Sequence, residues 1–175
     1  MIALGGIAAA LSWLAIGVIV GFVVRGAPAN APAPTLAHNA AVAHVVYTPE
    51  VRHPVEVGAD QQAHLVQWLS KRLSTPLKVP HLAEAGFDLV GGRLLPGDQG
   101  PVAQFMYQDK QGRRLTLYVR SDPDEKRETA FRFAQEGKVG VFYWLDGRLA
   151  YALSGELPRE QLLKVSEIAY QQLNL

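Results

Sequence analysis

Phe87–Leu153 reads FDLVGGRLLPGDQGPVAQFMYQDKQGRRLTLYVRSDPDEKRETAFRFAQEGKVGVFYWLDGRLAYAL. Apolar and polar residues alternate through it. Phe105 and Tyr107 fall on one side and Gln104 and Gln108 on the other. Leu115, Leu117 and Val119 interleave with Arg114, Thr116 and Arg120, and Phe131 and Phe133 bracket Arg132. A period of two marks a half-buried strand. The breaks are turn-prone: Pro96-Gly97-Asp98, Asp109 to Gly112, Ser121 to Asp124, Glu136-Gly137 and Asp146-Gly147. Asp-Gly between strand-like runs favours a two-residue hairpin with positive φ at both central residues. The pattern predicts an antiparallel meander with an apolar face that needs a cover.

The cover is legible on both sides of the sheet segment. Asp60 to Ser74 carries Leu65, Leu69 and Leu73 at intervals of four, joined by Val66 and Trp68. Asp60 is a candidate N-cap, Lys71 and Arg72 suit the last turn, and Pro76 stops the helix. Pro80 to Ala85 reads as a short helical turn ended by Gly86. Pro158 to Leu173 repeats the amphipathic pattern with Leu162, Val165, Ile168, Ala169 and Leu173. The expected class is α+β, with both helices packed on one face of the sheet. In the last strands Phe142 and Trp144 face one way, and Val141, Tyr143 and Leu145 the other. Apolar residues on both sides point to a strand that is central or covered twice, whereas an exposed Phe142/Trp144 surface would be a partner site.

Ahead of this domain lie two segments of different character. Met1–Val24 has no charged residue and Ser12 as its one polar side chain. About 20 such residues cross a bilayer as a helix, so Ile2 to Val24 is expected to be a transmembrane segment. A cleaved signal peptide is the competing reading, against which stand the length of the run and the lack of a basic start. Gly17 and Gly21 form a GxxxG through which two such helices could pair. The lack of a basic flank also suggests coding sequence upstream of Met1. Residues 26–44 follow, an Ala/Pro-rich stretch with Pro28, Pro32 and Pro34. It reads as a semi-extended linker open to proteases. The next stretch, His44 to Val57, is cut by Pro49 and Pro54 and is at best an edge strand. The division expected is therefore a membrane helix over 1–25, a linker over 26–44 and a folded domain over 45–175.

Composition narrows the function. The chain has 175 residues with 17 Lys/Arg against 16 Asp/Glu and no cysteine. Arg25 is the one charged residue before the folded domain, so the remainder is balanced and lacks the basic stripe that nucleic acid requires. Cysteine nucleophiles, thiolate metal sites and disulfides are excluded. His44, His53 and His64 do not have a ligand spacing and read as ordinary polar residues. No GxSxG, P-loop, HExxH or dinucleotide fingerprint occurs, and Gly91-Gly92 within a strand pattern reads as a bulge or close backbone approach. Neither a catalytic set, nor a metal, nor a cofactor is expected.

The order HPVEV (His53 to Val57), HLVQWLSKRL (His64 to Leu73), GFDLVGGRLLP (Gly86 to Pro96), AQFMYQDKQGRRLTLYV (Ala103 to Val119) and VFYWLDGRLAYALSGEL (Val141 to Leu157) resembles the transmembrane anti-sigma factors of proteobacteria. The resemblance implies a membrane and periplasmic sensor portion of a regulator that controls an extracytoplasmic-function sigma factor. The sigma factor would be held by a cytoplasmic domain that is not among these residues, and a protease would act in signalling. The implied location is the inner membrane, single-pass, with the C-terminal domain periplasmic. Arg25 taken alone would orient the chain the other way. The alternative is a membrane-anchored envelope binding or assembly module with no role in transcription.

Overall fold

The computed structural model describes residues 36–122 and 131–174. The chain begins there with helix α1, Leu36–Tyr47, and a short strand β1, Val57–Gly58. A one-turn 3-10 helix, Ala59–Gln61, runs into α2, Gln62–Leu73. Then come β2 Phe87–Gly97, β3 Gly100–Asp109 and β4 Arg114–Ser121. They are followed by β5 Arg132–Glu136, β6 Val139–Asp146, β7 Leu149–Gly155 and helix α3, Arg159–Leu173.

All seven strands form one antiparallel sheet in the order β1-β2-β3-β4-β7-β6-β5. The class is α+β as the alternation predicts, but the sheet is not one meander. The chain leaves β4, crosses to the far edge, and returns through β5 and β6, so that β7 closes the gap beside β4. Periodicity tells which residues share a face; it does not tell which strands are neighbours. Buried all along its length, β7 is an interior strand between β4 and β6.

The sheet is covered on both faces. On one, Leu65, Leu69 and Leu73 of α2 and Leu162, Val165, Ala169 and Leu173 of α3 pack on Phe105, Leu115, Leu117, Trp144 and Leu153. On the other, α1 packs on Leu95, Val102, Tyr118, Val141, Ala150 and Ala152. Two helices on one face is the expected arrangement; the third is not. Leu36 to His44, expected as part of the linker, are a docked helix instead. The physical reason is composition: alanine is the best helix former, and Pro34 and Pro49 bound the run rather than interrupt it. The expected transmembrane stretch Ile2 to Val24, with Gly17 and Gly21, and the rest of the expected linker lie outside the described residues. Among the described residues, no helix is long and apolar enough to cross a membrane.

Local details follow the sequence with two corrections. Asp60 does not cap α2 through its side chain, because the 3-10 turn places Gln61 at that position. The β6–β7 connection has positive φ at Gly147 alone (54°), so it lacks the two positive-φ residues of the I′ pattern. At Gly91 the ladder shifts register, φ is 148°, and a side chain would collide with the Val57 carbonyl. The Gly91→Ala variant is expected to lose about 1–3 kcal/mol from backbone strain alone, measured by urea unfolding. A buried tyrosine ties the sheet to the segment before it: Tyr107 Oη donates to the Pro80 carbonyl at 3.0 Å. Its burial pushes the phenol pKa up, so it stays protonated. Tyr107→Phe leaves that carbonyl unpaired and should cost about 1–3 kcal/mol in the same measurement.

Candidate functional site

Residues that could serve a function concentrate on the α1 side. The buried side of α1 is built from small residues, Ala37, Ala40, Ala41 and Ala43, with Leu36 and His44. They let the helix axis come close to a sheet surface that is itself small at Ala150 and Ala152. At the C-terminal end, Thr48 donates from its backbone N–H (2.9 Å) and its hydroxyl (2.8 Å) to the His44 carbonyl. Arg114 Nη1 then donates to the carbonyls of Thr48 (2.7 Å) and Glu50 (2.6 Å), and its Nε to Gln108 (2.8 Å). Both carbonyls follow Tyr47, the last residue of α1, so the guanidinium fastens the segment that leaves the helix and lies near its negative end.

The layer beneath α1 is more polar than the opposite face. His44 Nδ1 lies 2.9 Å from Thr116 Oγ1, and Thr116 pairs across the ladder with Ser154. His44 is buried, and burial pushes its pKa down from 6.5 to about 4, so the imidazole is neutral near pH 7. Ser154 Oγ and both amide atoms of Gln104 are buried with no hydrogen-bond partner among the described residues. Arg93 donates through Nη2 to the His53 carbonyl at 2.8 Å and stacks 4.0 Å from the centre of the Tyr47 ring. These contacts fasten the irregular segment after α1 over the edge of the sheet.

Two openings flank the helix. One, of about 280 Å³, is lined by His44, Thr48, Gly112, Arg113, Arg114 and Glu156. Its arginines are already engaged: Arg113 Nε donates to Asp109 Oδ2 at 2.6 Å, and Arg114 holds the Thr48 and Glu50 carbonyls. The second is a groove of about 260 Å³ between α1 and the β2–β3 turn, lined by Val42, Val46, Tyr47, Leu95, Pro96 and Tyr118 among others. Beside it Val42, Val45 and Val46 are 50%, 54% and 60% exposed. Spaced i, i+3 and i+4, they form one aliphatic ridge. The helix is thus apolar on both sides, which is the pattern of an element held between two layers.

The turn after β3 is a fixed structure. Asp109 Oδ1 accepts from the backbone N–H groups of Gln111 (2.9 Å) and Arg113 (2.8 Å). Burial alone would raise the Asp109 pKa, but the bonds from Arg113 and Gln111 outweigh it and the net direction is down. Asp109→Ala frees those donors and should cost about 1–3 kcal/mol, read as a fall in the urea midpoint.

The residues singled out from sequence are dispersed or buried. Phe142 and Trp144 are not a surface: both are buried under α3, while Val141, Tyr143 and Leu145 face α1. Double coverage is the reason, and it removes them as a partner site. His44 is buried, whereas His53 and His64 are exposed, so the three do not converge. Among the described residues, no group of three His, Asp or Glu could hold a metal ion. Sequence reasoning missed the α1 ridge; its signal was the valine spacing Val42, Val45 and Val46 in a stretch with no Lys, Arg, Asp or Glu from Gly26 to Pro49. No protein-family model and no curated protein matches the chain.

Proposed function

We propose that the chain is the membrane and periplasmic sensor portion of an anti-sigma regulator, acting by binding rather than by chemistry. The observation that carries the binding half is the aliphatic ridge on α1 beside a groove. The buried titratable groups support it too. His44, Tyr107 and Asp109 each make hydrogen bonds that hold the fold together. The regulatory half rests on the resemblance of five sequence segments spread from His53 to Leu157, and on the apolar run that precedes them.

On this reading Ile2 to Val24 anchors the protein in the inner membrane. The sheet domain lies outside the cytoplasm and receives the signal. The sigma factor binds a cytoplasmic part other than these residues, and a protease transmits the signal across the membrane. A protease would act in the stretch before Leu36, because a docked helix resists the extended conformation that proteases need.

Transcription tests it. Deleting the gene should raise transcription from promoters of one extracytoplasmic-function sigma factor several-fold, and the full-length gene should restore repression. Unchanged transcription from all such promoters would leave the envelope-module reading in its place.

A further inference from the structure

We infer that α1 is a releasable strap, which leaves the sheet as a unit while the seven strands, α2 and α3 stay folded. Its buried side offers little to hold it. Ala37, Ala40, Ala41 and Ala43 each bury one methyl group, and Leu36 is the one leucine beside them. On the opposite face α2 presses Leu65, Leu69 and Leu73 onto the sheet, and α3 presses Leu162 and Leu173. Apolar stabilisation follows the area removed from water, so α1 is the most weakly held of the three helices.

The layer that α1 covers is polar, and docking leaves part of it unpaired. Strand register puts Arg93, Gln104 and Tyr118 side by side on the α1 face, with Thr116 beside Ser154 in the next row. Both amide atoms of Gln104, Ser154 Oγ and Arg93 Nε are buried with no hydrogen-bond partner among the described residues. On the opposite face of the sheet one such atom occurs among the described residues, Trp144 Nε1. Water satisfies these groups once α1 moves off, so each unmet bond offsets part of what docking gains. His44 supplies a partner to Thr116 alone.

The two ends of α1 are held unequally. Near its start, His38 Nδ1 lies 3.2 Å from Glu136 and Asn39 donates to Asp98 at 3.1 Å, both at exposed positions. Exposed polar contacts compete with water and contribute little. Beyond its end, Arg114 grips the Thr48 and Glu50 carbonyls and Arg93 the His53 carbonyl. Residues 48–53 therefore stay on the sheet as the hinge, and α1 swings away from its Leu36 end. Residues 26–35 run directly into that end, so a pull or a partner on them reaches α1 before any other described element.

The chain has no native cysteine, so single introduced thiols report the opening. Ser154→Cys is nearly isosteric and lies under α1, whereas Ala103→Cys lies on the opposite face; both positions are fully buried. The test uses the full chain in detergent and a water-soluble maleimide, with each rate divided by that of the urea-unfolded protein. The Ser154→Cys thiol should react at least about a hundredfold faster than the Ala103→Cys thiol. Its rate should also rise less steeply with urea than global unfolding does, because opening exposes only the area under α1. Equal normalised rates, or a Ser154→Cys rate that tracks global unfolding, would overturn the inference. Should either variant misfold, hydrogen exchange of the unsubstituted chain decides. Backbone amides of residues 41–47 should exchange at least about tenfold faster than those of residues 165–169, and equal protection would overturn the inference. Sigma-factor promoter activity is read separately, so a strap that stays shut and a failed regulatory role are told apart.

Discussion

Trp144→Ala should lower the stability of the domain by about 3–5 kcal/mol, the usual loss when a fully buried aromatic is truncated. Its ring is the centre of an aromatic group: stacked on Tyr151 at 5.2 Å, tilted against Phe131 at 5.4 Å and edge-on to Tyr170 at 5.7 Å. Phe131 and Tyr170 also meet edge to face at 5.7 Å. Removing the indole therefore leaves a cavity bordered by Phe131 just before β5, by β7 and by α3, and rigid rings cannot collapse to fill it. Trp144 Nε1 is buried with no hydrogen-bond partner among the described residues. Trp144→Phe keeps most of the apolar contact and removes that unpaired donor, so it should cost clearly less than the alanine variant. By contrast, Val45→Ala on the ridge should stay within about 0.5 kcal/mol. Urea unfolding followed by the strand signal in circular dichroism measures all three. A small loss at Trp144 would mean that the aromatic group is not the centre of the core.

The second large effect is acid sensitivity through His44. Its pKa is depressed from 6.5 to about 4 in the folded protein. Between those values the unfolded chain binds a proton that the folded one does not, so stability rises with pH there. The contribution is flat above pH 6.5. It falls away as the pH drops toward 4, for a total on the order of 3 kcal/mol. His44→Gln, which can still hydrogen-bond Thr116, should remove this part of the slope while leaving stability at pH 7 within about 1–2 kcal/mol of the parent. Stability measured at about pH 7 and about pH 4.5 for both proteins checks it. An equal slope in parent and variant would show that the imidazole is not buried as described.

Much of the fold can be read from particular residues. The turns at Asp109 to Gly112, Glu136-Gly137 and Asp146-Gly147 all connect strands that pair. The two-sided apolar character of Val141 to Leu145 does mean cover on both faces. The register shift falls just before Gly91-Gly92, between Leu89 and Gly91, and both glycines meet neighbouring backbone closely. Those features are local: a period, a turn dipeptide, a missing side chain. What escapes is non-local. The insertion of β7 between β4 and β6 depends on where the chain goes after Asp122. The ladder period is the same whichever neighbour wins.

The helix α1 escapes for another reason. Amphipathic helices announce themselves by contrast between faces, and this one has none, because its alanine side is buried and its valine side is exposed. Its proline-rich approach reads like the start of a tether and the alanines like its continuation. The same lack of contrast hides the most suggestive surface of the molecule. Side-chain size draws attention to Phe142 and Trp144, whereas the exposed apolar surface is made of three medium-sized residues.

The most direct test of the regulatory reading is co-purification. The protein, expressed from its own locus with any in-frame sequence upstream of Met1 and tagged after Leu175, is recovered from detergent-solubilised membranes. It should bring down one extracytoplasmic-function sigma factor in near-stoichiometric amount and release it after the envelope stress that triggers proteolysis. Recovery of envelope proteins with no sigma factor, before or after stress, would contradict it.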